Sequence, residues 1–231
     1  MTHRILVLGN SHTQALEEAV KGDTPFEIHW LKTKAEARFG TLTMDEAVDR
    51  VTSLSAEDRL VVMHLGALHN IYGLLNSKPP FTFSGLETSS EAAVNIPRAT
   101  MKAMMREKIC GDVVLRRIVK SAPCPVFHAM TPPPKEKLQL PEKSGKLYRG
   151  ASIQELGFSP APLRKEIWRL EQSEVAAYCD TLGVSPLAPP EQAITPDGFL
   201  KEDCYANDAT HANALYGEYL RTQFAALLAT S

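Results

Sequence analysis

Arg4-Ile5-Leu6-Val7-Leu8-Gly9-Asn10-Ser11-His12-Thr13-Gln14-Ala15-Leu16 carries the clearest pattern in the chain. Ile5 to Leu8 run without a polar interruption, as in a parallel-sheet strand covered on both faces. Gly9-Asn10-Ser11 then turns the chain, and helical spacing begins at once. Such a turn sets Ser11 at the carboxyl end of a strand and the amino end of a helix, where ligands of open α/β sheets collect. Backbone N–H groups at a helix start lack intrahelical partners and can hold an anion. A serine hydroxyl there can be a nucleophile with oxyanion donors beside it. The plainer reading is that Asn10 or Ser11 caps the helix, a role both residue types favour.

Strands and helices alternate downstream. The first helix is expected over residues 11–21, with Gly22 as its stop. Phe26-Glu27-Ile28-His29-Trp30-Leu31 alternates apolar and polar side chains and reads as a strand near a sheet edge. Residues 32–43, which include Gly40, read as a loop on the same side as Ser11. Helical spacing returns over 44–54, with Asp45 and Glu46 in the first turn. Leu60-Val61-Val62-Met63-His64-Leu65 is another buried strand, ended by Gly66. Pro97 can open one long helix to residue 119. Residues 125–130 form the next strand, 163–182 a helix stopped by Gly183, 184–188 a short strand, and a final helix begins near His211. Irregular stretches near 66–96 and 131–160 read as insertions on the active face, where long connections are usually functional. The fold class expected is α/β: a three-layer α/β/α sandwich with a mostly parallel five-stranded sheet and right-handed crossovers, in a single domain spanning 1–231.

Composition narrows the function classes. Of 231 residues, 44% are hydrophobic and 23% charged, enough for one sizeable core. A net charge of -2 gives no electrostatic case for nucleic acid or an anionic membrane. No apolar segment approaches the roughly 20 residues needed to span a bilayer, and no basic segment followed by a long apolar core marks a signal peptide. A cytoplasmic location is the expectation. Cys110, Cys124, Cys179 and Cys204 lie far apart and are expected as buried free thiols. Cys124 stands between Pro123 and Pro125, where a helix is disfavoured and a strand can begin. His3, His29 and His128 make no ligand spacing with carboxylates, so no metal is expected.

The far end of the chain holds a second signal, Tyr205-Ala206-Asn207-Asp208-Ala209-Thr210-His211-Ala212-Asn213. An Asp three residues before a His can set its carboxylate against Nδ1, leaving Nε2 to take a proton from a hydroxyl. Alone the pattern is weak, and Asp208 could instead cap the last helix. In this architecture, however, it belongs on the same carboxyl-end face as Ser11.

Together the two blocks resemble the SGNH (GDSL-like) hydrolase superfamily. Its opening Gly-Asp-Ser stands here as Leu8-Gly9-Asn10-Ser11, and its closing Asp-x-x-His as Asp208-Ala209-Thr210-His211, followed by Asn213 and Tyr216-Gly217. The resemblance implies a flavodoxin-like sandwich, with Ser11 as nucleophile, His211 as general base then acid, and Asp208 as the orienting carboxylate. It also implies an oxyanion hole built from the Ser11 N–H, a glycine after the second strand and an Asn side chain after the third. Gly40 and Asn70 are the residues assigned here. The family's Gly-x-Asn-Asp appears instead as Gly66-Ala67-Leu68-His69-Asn70, with an extra residue and no following Asp. No cofactor is implied. The expected partner is a small-molecule or glycan ester; oligomeric state stays open. A serine esterase, possessing an acyl-enzyme step, is the leading class. An acyltransferase to a sugar or peptide hydroxyl, and an inactive binding module, are the alternatives.

Other families fit less well. Thr13 stands where an α/β-hydrolase elbow needs its second Gly. No Gly-x-Gly-x-x-Gly follows Leu8 and there is no Walker lysine. His12 is read as pointing away from the nucleophile, with a structural role preferred to a substrate contact; His64 is read as a hydrogen-bonded core histidine, and His69 as a candidate pocket edge. Trp168 and Tyr178 are read as packing residues, and Arg98, Lys102, Arg106 and Lys108 as a solvated helix face.

Overall fold

A computed structural model of the chain describes residues 3–22, 25–32, 40–86, 93–139 and 147–229. In chain order the elements are β1 (Ile5–Gly9), α1 (Gln14–Val20), β2 (Phe26–Trp30), α2 (Met44–Thr52), β3 (Arg59–Met63) and α3 (Leu68–Gly73). Next come β4 (Phe81–Phe83), β5 (Val94–Ile96), α4 (Arg98–Cys110), α5 (Val113–Ser121) and β6 (Val126–Ala129). Then follow β7 (Leu147–Tyr148), β8 (Ala151–Ser152), α6 (Ile153–Leu156), α7 (Ala161–Leu182), β9 (Ser185–Leu187) and α8 (Ala214–Ala225).

The main sheet has five strands in the order β2-β1-β3-β6-β9, and every pairing in it is parallel. The chain leaves β1 to one side for β2 and returns to the other side for β3. That reversal opens a crevice at the carboxyl ends of β1 and β3, the usual ligand position in such sheets. Ser11 follows β1 directly, so the strand order itself puts it in the crevice.

Period-two alternation sorts the strand side chains into two cores. Leu6, Leu8, Leu60 and Val62 join Val51 of α2, Met105 of α4, Leu115 of α5 and Ile167 of α7. Ile5, Val7, Val61 and Met63 face the other way and join Leu16 and Val20 of α1 and Leu220 and Phe224 of α8. Helices therefore cover both faces, as expected for a three-layer sandwich. Burying a side chain such as Phe224 stabilises the fold by about 1.5–3 kcal/mol. No described helix is long and apolar enough to cross a membrane.

Several elements depart from the sequence expectation. The long helix expected over 97–119 is two, because Asp112 caps a fresh start: its Oδ1 accepts from the Leu115 N–H at 2.8 Å. The first helix begins as a tight 3-10 turn over Ser11–Thr13 and becomes α-helical only at Gln14. The last helix starts at Ala214 rather than His211, since the Asn213 side chain caps it through the Leu215 and Tyr216 N–H groups. Cys110 is exposed, while the other three cysteines are buried. The basic face of α4 is paired: Arg98 meets Glu166, and Lys102 and Arg106 both meet Glu174 of α7.

Candidate active site

Gly9 ends β1 against the next strand so closely that a Cβ there would lie 2.7 Å from the Met63 carbonyl oxygen. Only glycine permits that approach. Asn10 then stitches the turn to β3: its N–H donates to Met63 O at 3.3 Å and its Nδ2 to His64 O at 2.9 Å. Its own carbonyl accepts from the N–H and hydroxyl of Thr13, at 2.9 and 2.7 Å. Asn10 thus orders the turn that presents Ser11.

The chain's other end meets this turn. Ser11 Oγ lies 2.9 Å from His211 Nε2, and His211 Nδ1 lies 2.7 Å from Asp208 Oδ2. The second carboxylate oxygen accepts from the Thr210 and His211 N–H groups at 2.7 and 2.8 Å. Burial works against the Asp208 charge, yet the hydrogen bonds from the His211 ring and from these two N–H groups hold its carboxyl below the usual carboxylate range. With Nδ1–H given to a carboxylate, Nε2 keeps the lone pair facing the Ser11 hydroxyl. A hydroxyl, an imidazole and a carboxylate so arranged can pass a proton from oxygen to nitrogen while the oxygen attacks an electrophile.

His12 differs from its sequence reading. The 3-10 turn swings its ring to 5.1 Å from the His211 ring, centroid to centroid, instead of away from it. Burial, with His211 and His69 nearby, pushes its pKa down to about 3, so it stays neutral and adds no charge beside His211.

The two residues expected as further oxyanion donors lie near the carboxyl ends of β2 and β3. Gly40 holds φ +112°, and a Cβ there would stand 2.9 Å from the Lys32 backbone N and Cα, just beyond β2. That position requires glycine on both counts. Asn70 is buried in the short helix α3, just beyond β3. Among the described residues, no hydrogen bond joins either one to Ser11, His211 or Asp208.

Residues of α7 whose partners the sequence did not show hold the loops after β3 and β6 in place. Glu171, fully buried on α7, accepts from the Leu68 and His69 N–H groups at 2.7 and 2.8 Å and from His69 Nδ1 at 2.8 Å. Trp168 is more than packing, since its Nε1 donates to Thr131 O at 3.2 Å, while Gln172 reaches the Thr131 hydroxyl at 3.3 Å. Arg164, Trp168, Glu171 and Gln172 fall at i, i+4, i+7 and i+8, one face of a helix. That polar stripe was the available signal. His64 is hydrogen-bonded as expected, through Nε2 to Asp112 Oδ2 at 3.0 Å. Tyr178 donates its hydroxyl to Asp112 O at 3.0 Å as well as packing in the core. Among the described residues no group of three or more His, Cys, Asp or Glu side chains gathers as a metal site.

No family model matches the sequence, and no curated protein matches it. Solved structures do match in fold. A carbohydrate acetylesterase from Sinorhizobium meliloti superposes over 99% of this chain and 99% of its own, with 14% identity and a TM-score of 0.51. The periplasmic domain of a lipopolysaccharide acetyltransferase from Salmonella ser. Paratyphi A covers 100% of this chain and 85% of its own, at 11% identity and a TM-score of 0.51. A GDSL-like lipase from Bacteroides thetaiotaomicron covers 98% and 87%, at 9% identity and a TM-score of 0.50. Such low identities speak for the fold alone, an α/β/α sandwich that this chain shares with an acetylesterase, an acetyltransferase domain and a GDSL-like lipase.

Proposed function

We propose that the protein is an SGNH-type serine esterase acting on a small-molecule or glycan acyl ester. Ser11 Oγ attacks the ester carbonyl as His211 Nε2 takes its proton, and Asp208 steadies the imidazolium. His211 returns that proton to the leaving alcohol, which leaves an acyl group on Ser11. Water, deprotonated by the same imidazole, then releases the acid and frees Ser11. The tetrahedral oxyanion is held by the Ser11 N–H, with the Gly40 N–H and the Asn70 amide as further donors; losing one such donor costs on the order of 10²–10³ in turnover.

The observation that carries this reading is the pair of contacts, 2.9 Å from Ser11 Oγ to His211 Nε2 and 2.7 Å from His211 Nδ1 to Asp208 Oδ2, at the sheet's switch point. The four cysteines are free, which supports a reducing compartment such as the cytoplasm. A fluorophosphonate probe should label Ser11 in the folded protein, and Ser11→Ala should lose both the label and turnover of short acyl esters and acetylated sugars. Full turnover by Ser11→Ala refutes the proposal. Absence of label in the folded wild type favours a binding module, and acylated sugar product on adding an acceptor favours transfer over hydrolysis.

A further inference from the structure

Lys135 follows Pro132-Pro133-Pro134 beyond β6, and only 3% of its surface is exposed. Its ammonium donates to the carbonyl oxygens of Ala206 and Asp208, at 2.7 and 2.6 Å, and lies 4.9 Å above the centre of the Tyr205 ring. The segment bearing it is fixed from behind. Arg164 of α7 donates to the carbonyls of Lys135 and Glu136 at 2.8 Å each, and to that of Ser159. The Glu136 N–H donates to the Tyr205 hydroxyl at 2.9 Å, and the Leu200 N–H to Pro134 O at 3.1 Å.

The two bonds from the ammonium land on the backbone of the loop that carries Asp208, while the others hold the segment that bears Lys135. Within that loop, the Asp208 carboxylate grips the N–H groups of residues 210 and 211, which orients it locally. Those bonds alone do not tie the loop to the sheet that carries Ser11. Lys135 supplies a tie at Ala206 and Asp208 themselves, because it follows β6 and β6 belongs to the same sheet as β1. An ammonium is costly to bury unless it is hydrogen-bonded, and charge-assisted hydrogen bonds are the strong ones. Burial pulls the Lys135 pKa below the usual lysine range, with Asp208 opposing that pull.

We propose that Lys135 is a positioning residue of the triad: its buried ammonium clamps the carbonyls of Ala206 and Asp208 and so aims the Asp208 carboxylate at His211. The consequence for turnover rests on the esterase reading; the clamp itself does not.

Lys135→Met keeps the length of the side chain and removes its donors. It should lower kcat on the order of 10², as sub-ångström to ångström displacements of reacting groups do, and leave KM within about twofold. The low-field imidazole N–H resonance of His211, assigned by its loss in His211→Gln, should vanish with it. Lys135→Arg, which restores charged donors, should keep that resonance and more of kcat than Lys135→Met. In wild-type protein carrying ¹⁵N-labelled lysine, the Lys135 ammonium protons should exchange far more slowly than those of exposed Lys137. Lys135→Met that melts like the wild type and keeps both kcat and the resonance overturns the proposal. So does a Lys135 ammonium that exchanges as fast as that of Lys137, a measurement that decides the matter even where the Met variant does not fold. If the wild type neither turns over esters nor takes the probe, the esterase reading falls alone, and the two resonance measurements still judge the clamp.

Discussion

Asp208 does two jobs with its two oxygens, and one substitution separates them. In Asp208→Asn the amide oxygen can still accept from the Thr210 and His211 N–H groups, so the turn should survive. The amide NH₂ would then face His211 Nδ1 and favour the tautomer whose proton sits on Nε2, where it cannot receive the Ser11 proton. We expect Asp208→Asn to fold normally, with kcat reduced on the order of 10³–10⁴. A reduction of less than tenfold in steady-state assays would count against the assigned role. The neighbouring His12 shows how far one residue can mislead. A helical position suggested a ring pointing away from the nucleophile, but the 3-10 turn over Ser11–Thr13 brings it against that of His211.

Between elements, the decisive contact is the packing of α1 on α8. A Cβ at Gly217 would overlap the carbonyl oxygen of Ala15 and come within 3.0 Å of Ala19 Cβ. The two helices therefore touch backbone to backbone, and they are the helices that follow Ser11 and His211. Gly217→Ala should force them apart, costing about 1–3 kcal/mol of stability in urea unfolding and lowering kcat as the hydroxyl leaves the imidazole. Unchanged stability together with unchanged kcat would refute this. The polar stripe of α7 acts on the opposite face. Glu171→Ala strips three donors of their acceptor, each unsatisfied buried group costing about 1–3 kcal/mol. Unfolding at lower urea, with the largest loss of amide-exchange protection at residues 68–70, is the expected result. Helix spacing alone placed α7 on the core, while its role in holding two loops needed the partners that only folding supplies.

Across the molecule, two buried imidazoles set the response to acid. Burial holds His12 down to about 3 and His128 down to about 4, against an ordinary 6.5. Below pH 6.5 the unfolded chain binds protons that the folded chain refuses, so stability falls as pH drops from about 6.5 toward 4. The slope should approach about 1.4 kcal/mol per pH unit for each histidine. Urea midpoints measured between pH 7 and 4.5 test this, and a flat series would contradict it. The layered fold was legible because its signals are local. The buried run Ile5 to Leu8 and the glycine stops each depend on near neighbours in the chain, which suffices for strand, turn and helix. The breaks at Asp112 and Asn213 escaped because a side-chain cap competes with continued helix, and periodicity does not register that competition. Sequence by itself marked the five strands of the main sheet along the chain, and the three residue types able to share a proton at the two chain ends. Tertiary structure alone decided that Ser11 and His211, 200 residues apart, stand 2.9 Å from one another, and that Lys135 and Glu171 hold the surrounding loops. The physical reason is that buried polar groups must find donors and acceptors wherever packing brings them, and those partners lie far away along the chain.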